Sequence, residues 1–182
     1  MAELDNILRD YEVQLAAQRQ INRELEAHEI AHQELAQLTL SDRLAGHLGQ
    51  DITVQGSGPD IWRGRLENLG LGWIQMRLDY GDLLLPLTSL TWWEAQSLAA
   101  LTEQGISRRL SLAHALRAIA ASRRPVYIQH KTHTLITSEG RILGVGSDYC
   151  ELLNYQSMSS HRLASPRQRV IPLSSIDFLR VS

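Results

Sequence analysis

The spacing of apolar residues changes along the chain, and each change marks a different kind of element. From Ala2 to about Gln37 there is neither Gly nor Pro, and Leu4, Ile7, Leu8, Tyr11, Leu15, Ile21, Leu25 and Leu35 recur mostly at alternating threes and fours. This spacing predicts one long helix. Gln14, Gln18, His28 and His32 interrupt its stripe. The helix is therefore expected to pack on its own protein or pair weakly with another copy, not to form a strong coiled coil. Ser41 is the expected N-cap of a short second helix running from Asp42 to about Leu48.

Beyond this point the period shortens to two. Residues 52–55, 61–68, 73–78 and 83–87 are β-favouring runs separated by Gly, Pro and Asp, the cadence of a small antiparallel barrel. Residues 94–110 read as a connector entering a helix over Ser111 to Ser122, after which strands resume.

The two strand-rich stretches are copies of one pattern. Gly64 to Met76 lies over Gly140 to Leu152 without a gap, Ile52–Gln55 over Val126–Gln129, and Leu85–Leu90 over Ile171–Ile176. About ten extra residues between Tyr155 and Arg169 precede the closing strand of the second copy. Gly suits the strong bends and Pro the strand ends. Gly64-x-Leu66-x-x-Leu69-Gly70-x-x-Trp73 and Gly140-x-Ile142-x-x-Val145-Gly146-x-x-Tyr149 have the pattern G-x-φ-x-x-φ-G-x-x-φ, where φ is apolar. Each half resembles the Sm-like small-barrel family over roughly 50 to 60 residues, and the whole chain resembles bacterial proteins with a helical start and two such barrels.

The resemblance implies an α+β fold: a long N-terminal helix followed by two tandem Sm-like five-stranded antiparallel small barrels, each preceded by a helix. The expected divisions are 1–40 for the helix, 41–96 for the first barrel, 97–110 for the connector and 111–182 for the second barrel. The family also reads RNA bases with an Asp and an Asn, but Gly70 and Ile74, and Gly146 and Cys150, occupy those places here. The hydrogen-bonding groups that recognise a base edge are thus replaced.

Charge adds a polarity to this plan. Of the net −2, residues 1–40 carry −5, residues 41–96 carry −3 and residues 97–182 carry +6. The near cancellation favours docking of acidic on basic parts, within one chain or between copies, over a nucleic-acid surface. The docking reading assigns partner contact to Leu4, Leu8, Tyr11 and Leu15 on the helix and to Trp93, whose neighbour Trp92 is expected to enter the core. The nucleic-acid alternative uses Arg108, Arg109, Arg123, Arg124, Lys131, Arg162, Arg167 and Arg169 to neutralise phosphates. These arginines have no interleaved aromatics for stacking on bases.

Candidate chemistry is sparse. His28-Glu29-Ile30-Ala31-His32 has the zincin spacing, but Leu35 and Leu38 stand where the extended motif needs Gly and a third His, and charged Glu26 and Glu34 flank it. It reads as coincidence. His130 and His133 could meet a metal with His161, yet no carboxylate or thiol completes a set. There is no phosphate-binding loop and no nucleophile elbow. Cys150, the one cysteine, falls on a strand and is expected in or beside a core. With no signal-like start and no apolar run of membrane-spanning length, the expected setting is the cytoplasm. The expected function is that of a non-enzymatic binding or scaffold protein, without cofactor or metal. Its expected partner is another protein or a second copy of itself, and the alternative is a nucleic-acid-binding regulator.

Overall fold

The structure, a computed structural model, describes residues 18, 20, 29, 33, 36–95, 109–132, 136–154 and 167–181. Residues 1–39 and 40–182 form two compact units. Of the first, Gln18, Gln20, Glu29, Gln33, Ala36 and Gln37 are described and helical. The rest of the expected long helix, with Leu4, Leu8, Tyr11 and Leu15, lies outside the described residues.

The second unit contains α1 (Leu40–Ala45), β1 (Asp51–Gln55), β2 (Ile61–Gly70), β3 (Trp73–Leu78), β4 (Gly81–Pro86) and β5 (Trp92–Ala95). It continues with α2 (Leu112–Ser122), β6 (Val126–His130), β7 (Thr137–Val145), β8 (Tyr149–Asn154), β9 (Arg167–Pro172) and β10 (Ile176–Val181). The α2 helix begins at Ser111 as its N-cap and ends at Arg123 in the left-handed conformation, φ 54°. In contrast, Ser41 lies inside α1, which starts at Leu40, two residues before the Asp42 that a Ser41 cap would place first.

The expected pair of closed barrels does not form. All ten strands make one open antiparallel sheet in the order β5-β1-β2-β3-β4-β10-β6-β7-β8-β9. Closing the first five strands would require β4 to turn back onto β5, but the free edge of β4 pairs with β10 instead. Across this seam Leu84 stands opposite Leu179, Leu83 opposite Arg180 and Asp82 opposite Val181. The described helices, of six and eleven residues, are minor beside this sheet.

Burial explains why the seam wins. Leu83 and Leu85 of β4 enter a core with Ile52, Val54, Trp62, Leu66 and Met76, while Leu84 between them enters a second core with Leu116, Ile128, Cys150 and Leu152. On β10, Phe178 joins the first core, and Leu179 and Val181 join the second. Successive residues of a strand point to opposite faces, so both seam strands are buried on both sides. Two separate barrels would expose one face of each.

Within the open sheet the two blocks of five strands repeat their pairing. Val54 opposes Trp93 as Ile128 opposes Leu179, and Gln75 opposes Leu84 as Glu151 opposes Val170. A bulge interrupts β2 between Leu66 and Asn68, and another interrupts β7 between Ile142 and Gly144. Each of Pro86 and Pro172, both at φ −60°, leads into a 3-10 turn, Leu87–Ser89 and Leu173–Ser175 respectively. At Gly64 and Gly140 an added Cβ would overlap a backbone carbonyl of the neighbouring strand, that of Arg77 and Leu153 respectively, so the strands approach where no side chain intervenes.

Candidate docking edge

A linear sheet leaves two ends, and these differ. Strand β9 hydrogen-bonds with β8 alone among the described residues, and Arg167, Gln168, Arg169 and Val170 are exposed along it. Its one buried residue, Ile171, alternates with outward Val170, which is 60% exposed. On the same outward face of β8 lies Tyr149, opposite Pro172, and the bulged Leu143 of β7 is also exposed. Among the described residues the outer edge of β9 is unpaired, and Glu151 stands opposite Val170.

The other end is β5, paired with β1 alone among the described residues. Trp93 and Ala95 pack against the first core, and the Trp93 ring lies 4.8 Å from the ring of the buried His47. Trp93, expected to point away from the core, packs against it, and Trp92 is likewise half-buried. The physical reason is register, since Trp93 pairs with buried Val54 and opposing residues share a face. Glu94, between Trp93 and Ala95, is exposed.

Three of the basic residues assigned to the nucleic-acid alternative make polar contacts within the protein. Arg124 reaches Asp82 Oδ2 at 3.4 Å. Arg169 Nη1 donates to Ser138 Oγ at 2.6 Å and to the Thr137 carbonyl at 3.2 Å. Lys131 Nζ donates to Thr88 Oγ1 at 2.8 Å. Arg109, Arg123 and Arg167 are exposed, and Arg108 and Arg162 lie outside the described residues.

A cavity of about 380 Å³ opens between α2 and the seam, walled by Trp73, Leu84 and Ile119 and floored by Asn68, Asp82 and Arg124. Its polar groups are engaged with one another or with the backbone. Asn68 Nδ2 donates to Gln75 Oε1 at 2.8 Å, Trp73 Nε1 donates to the Leu110 carbonyl at 2.8 Å, and Arg77 pairs with Asp82 at 2.9 Å. His114 also lines the cavity, and its Nδ1 lies 3.2 Å from the Ser111 hydroxyl.

Cys150 and His130 are two titratable groups that the fold shifts. Cys150 is fully buried, and burial pushes its thiol up to about 11. His130 bonds to Ser138 through Nε2 at 2.8 Å and to Ser175 through Nδ1 at 3.4 Å. Burial, then the charge of Arg169, hold it below its ordinary 6.5. His133 and His161 lie outside the described residues, as does the His28–His32 string apart from Glu29. Among the described residues no three His, Cys, Asp or Glu side chains are grouped to hold a metal ion, and no helix is long and apolar enough to cross a membrane.

No protein-family model matches this sequence, and no curated protein matches it. The functional reading rests on the molecule's own geometry. Sequence reasoning passed over Val170 and Glu94. The signal was present in the repeat, where Arg169-Val170 stands in place of the buried Leu83-Leu84 of the first copy. That contrast distinguishes an edge strand from a central one.

Proposed function

We propose that this chain is a non-enzymatic, cytoplasmic binding or scaffold protein whose contact surface is the open β9 edge. The observation that carries this reading is Val170, 60% exposed on a strand that pairs on one side only among the described residues, while its counterpart Leu84, in the same register of the other block, is 4% exposed on a strand paired on both sides. An open edge offers a row of backbone donors and acceptors, and an apolar residue on it supplies the burial that makes strand addition favourable. Tyr149 and Leu143 extend the apolar area beside it. The buried, protonated Cys150 thiol accords with a reducing compartment.

A nucleic-acid role draws less support, because Arg124, Arg169 and Lys131 already have partners within the protein. The two readings separate in one comparison. Affinity capture from the source cell is run with the wild-type chain and with Val170→Lys, a substitution that adds positive charge and removes apolar edge surface. A docking edge loses its protein partners in the variant. Partners that are retained, or nucleic acid that binds more tightly to Val170→Lys in a salt-dependent manner, would overturn the edge reading.

A further inference from the structure

We infer that the cavity between α2 and the seam is a binding site for a small uncharged molecule with an apolar body and a carboxamide or lactam edge. The sheet forms one wall. Asn68 of β2 stands opposite Gln75 of β3, which stands opposite Leu84 of β4, so the three lie side by side across adjacent strands and share a face. Trp73 and Asp82 join that face, each two residues before a member of the row on its own strand. Helix α2 forms the opposite wall, where Ala115, Ala118, Ile119 and Ser122 recur at helical spacing. Two of these four are alanines, and about 380 Å³ remains between helix and sheet, a size typical of small-molecule sites.

The polar edge of the cavity fixes the chemistry. Asn68 Nδ2 donates to Gln75 Oε1 at 2.8 Å, which engages one donor group and one acceptor of the pair. Each amide carries both, so Asn68 Oδ1 and Gln75 Nε2 still present an acceptor and a donor side by side. Turning both amides over reverses the bond and again leaves one of each. The complement is a group whose own N–H and C=O lie on one edge, as in a carboxamide or lactam. A carboxylate has no proton for the acceptor, and an ammonium has no lone pair for the donor. The ionic groups are matched already, since the Asp82 carboxylate meets Arg77 Nε at 2.9 Å and Arg124 Nη1 at 3.4 Å, so the cavity does not call for a charged ligand. Trp73, held by its bond to the Leu110 carbonyl, and Ile119 face the apolar body. The pairing scheme of the sheet does not require the two amides: in the second block Gly144 opposes Glu151 at the positions where Asn68 opposes Gln75. None of the lining residues belongs to β9, so this site and the docking edge stand or fall separately.

The test uses the full chain, labelled with nitrogen-15, and three compounds of one size: benzamide, acetophenone and benzoate. Benzamide is expected to shift the side-chain amide resonances of Asn68 and Gln75 and the indole resonance of Trp73 saturably, with an affinity on the order of millimolar. Acetophenone and benzoate, which lack the donor, are expected to bind at least about tenfold more weakly. The double variant Asn68→Leu with Gln75→Met, given an unchanged far-ultraviolet circular dichroism spectrum, should lose about tenfold in benzamide affinity and none in acetophenone affinity. Val170→Lys should bind benzamide as the wild type does. Benzamide that moves none of these resonances at its solubility limit, or that binds the wild type no more tightly than acetophenone or benzoate, overturns the site. Unchanged benzamide affinity in the folded double variant overturns it as well, and the wild-type comparison decides alone if that variant fails to fold.

Discussion

The ring of Phe178 meets the ring of Trp62 edge-on, with centroids 4.7 Å apart. The two residues come from different blocks of the sheet, Trp62 from β2 and Phe178 from β10, so a side chain supplied by the second block completes the core of the first. Both are 5% exposed. This contact makes the seam part of the hydrophobic core, and it binds the two blocks into one folding unit.

Phe178→Ala removes a buried aromatic from the first core while leaving the second core's own strands intact. The expected loss is about 3–5 kcal/mol, read as a lower denaturant midpoint. Because the seam strands serve both cores, a single transition is expected in the wild type. A loss below about 1 kcal/mol would mean that the seam does not join the cores as described.

The close strand approach at Gly140 makes a second, sharper expectation. An added Cβ there would overlap the Leu153 carbonyl, whereas at Gly144 it would meet only the Glu151 carboxylate at 3.4 Å. Gly140→Ala should therefore cost more than about 2 kcal/mol, and Gly144→Ala less than about 1 kcal/mol. Paired unfolding curves of the two variants check the order.

Cys150 should be inert in the folded protein. Its thiol is pushed from 9.0 up to about 11 by burial, so at about pH 8 it is protonated and shielded. A thiol-specific chromogenic reagent should react with it only after denaturant is added. Since the folded state holds this proton more tightly than the unfolded state, the associated stability is present below 9.0 and is lost as pH rises toward about 11.

His130 predicts the opposite limb. Burial and Arg169 hold its imidazole below 6.5, so as pH falls through 6.5 the unfolded chain takes up the proton first and stability declines. His130→Gln, which keeps hydrogen-bonding capacity without the titration, should flatten the acid side of the stability profile. Thermal midpoints of both proteins measured from neutral to mildly acidic pH check this; parallel profiles would assign the acid loss to other groups.

Much of the molecule was legible from local pattern. The period-two runs became β1 to β4, the helix expected over Ser111 to Ser122 formed as α2, and Cys150 entered the core. Each depends on interactions between near neighbours: alternation across a pleat, a run of good helix formers, or an apolar thiol on an inward strand position. The duplicated Gly and apolar spacing likewise announced two blocks with the same internal pairing.

What the sequence alone determined, then, was which residues form strands and that the strands come in two matching sets. Only the tertiary structure decided that the sets join as one open sheet, since Leu83-Leu84-Leu85 fits a closing strand as well as a central strand buried on both faces. The inward turn of Trp93 and the engagement of Arg124 with Asp82, 42 residues away, were decided in the same way. Because β4 paired with β10, β9 and β5 stand at the two ends of the sheet. Strand partners distant in sequence are selected by the apolar surface that their pairing buries, and that quantity belongs to the assembled sheet.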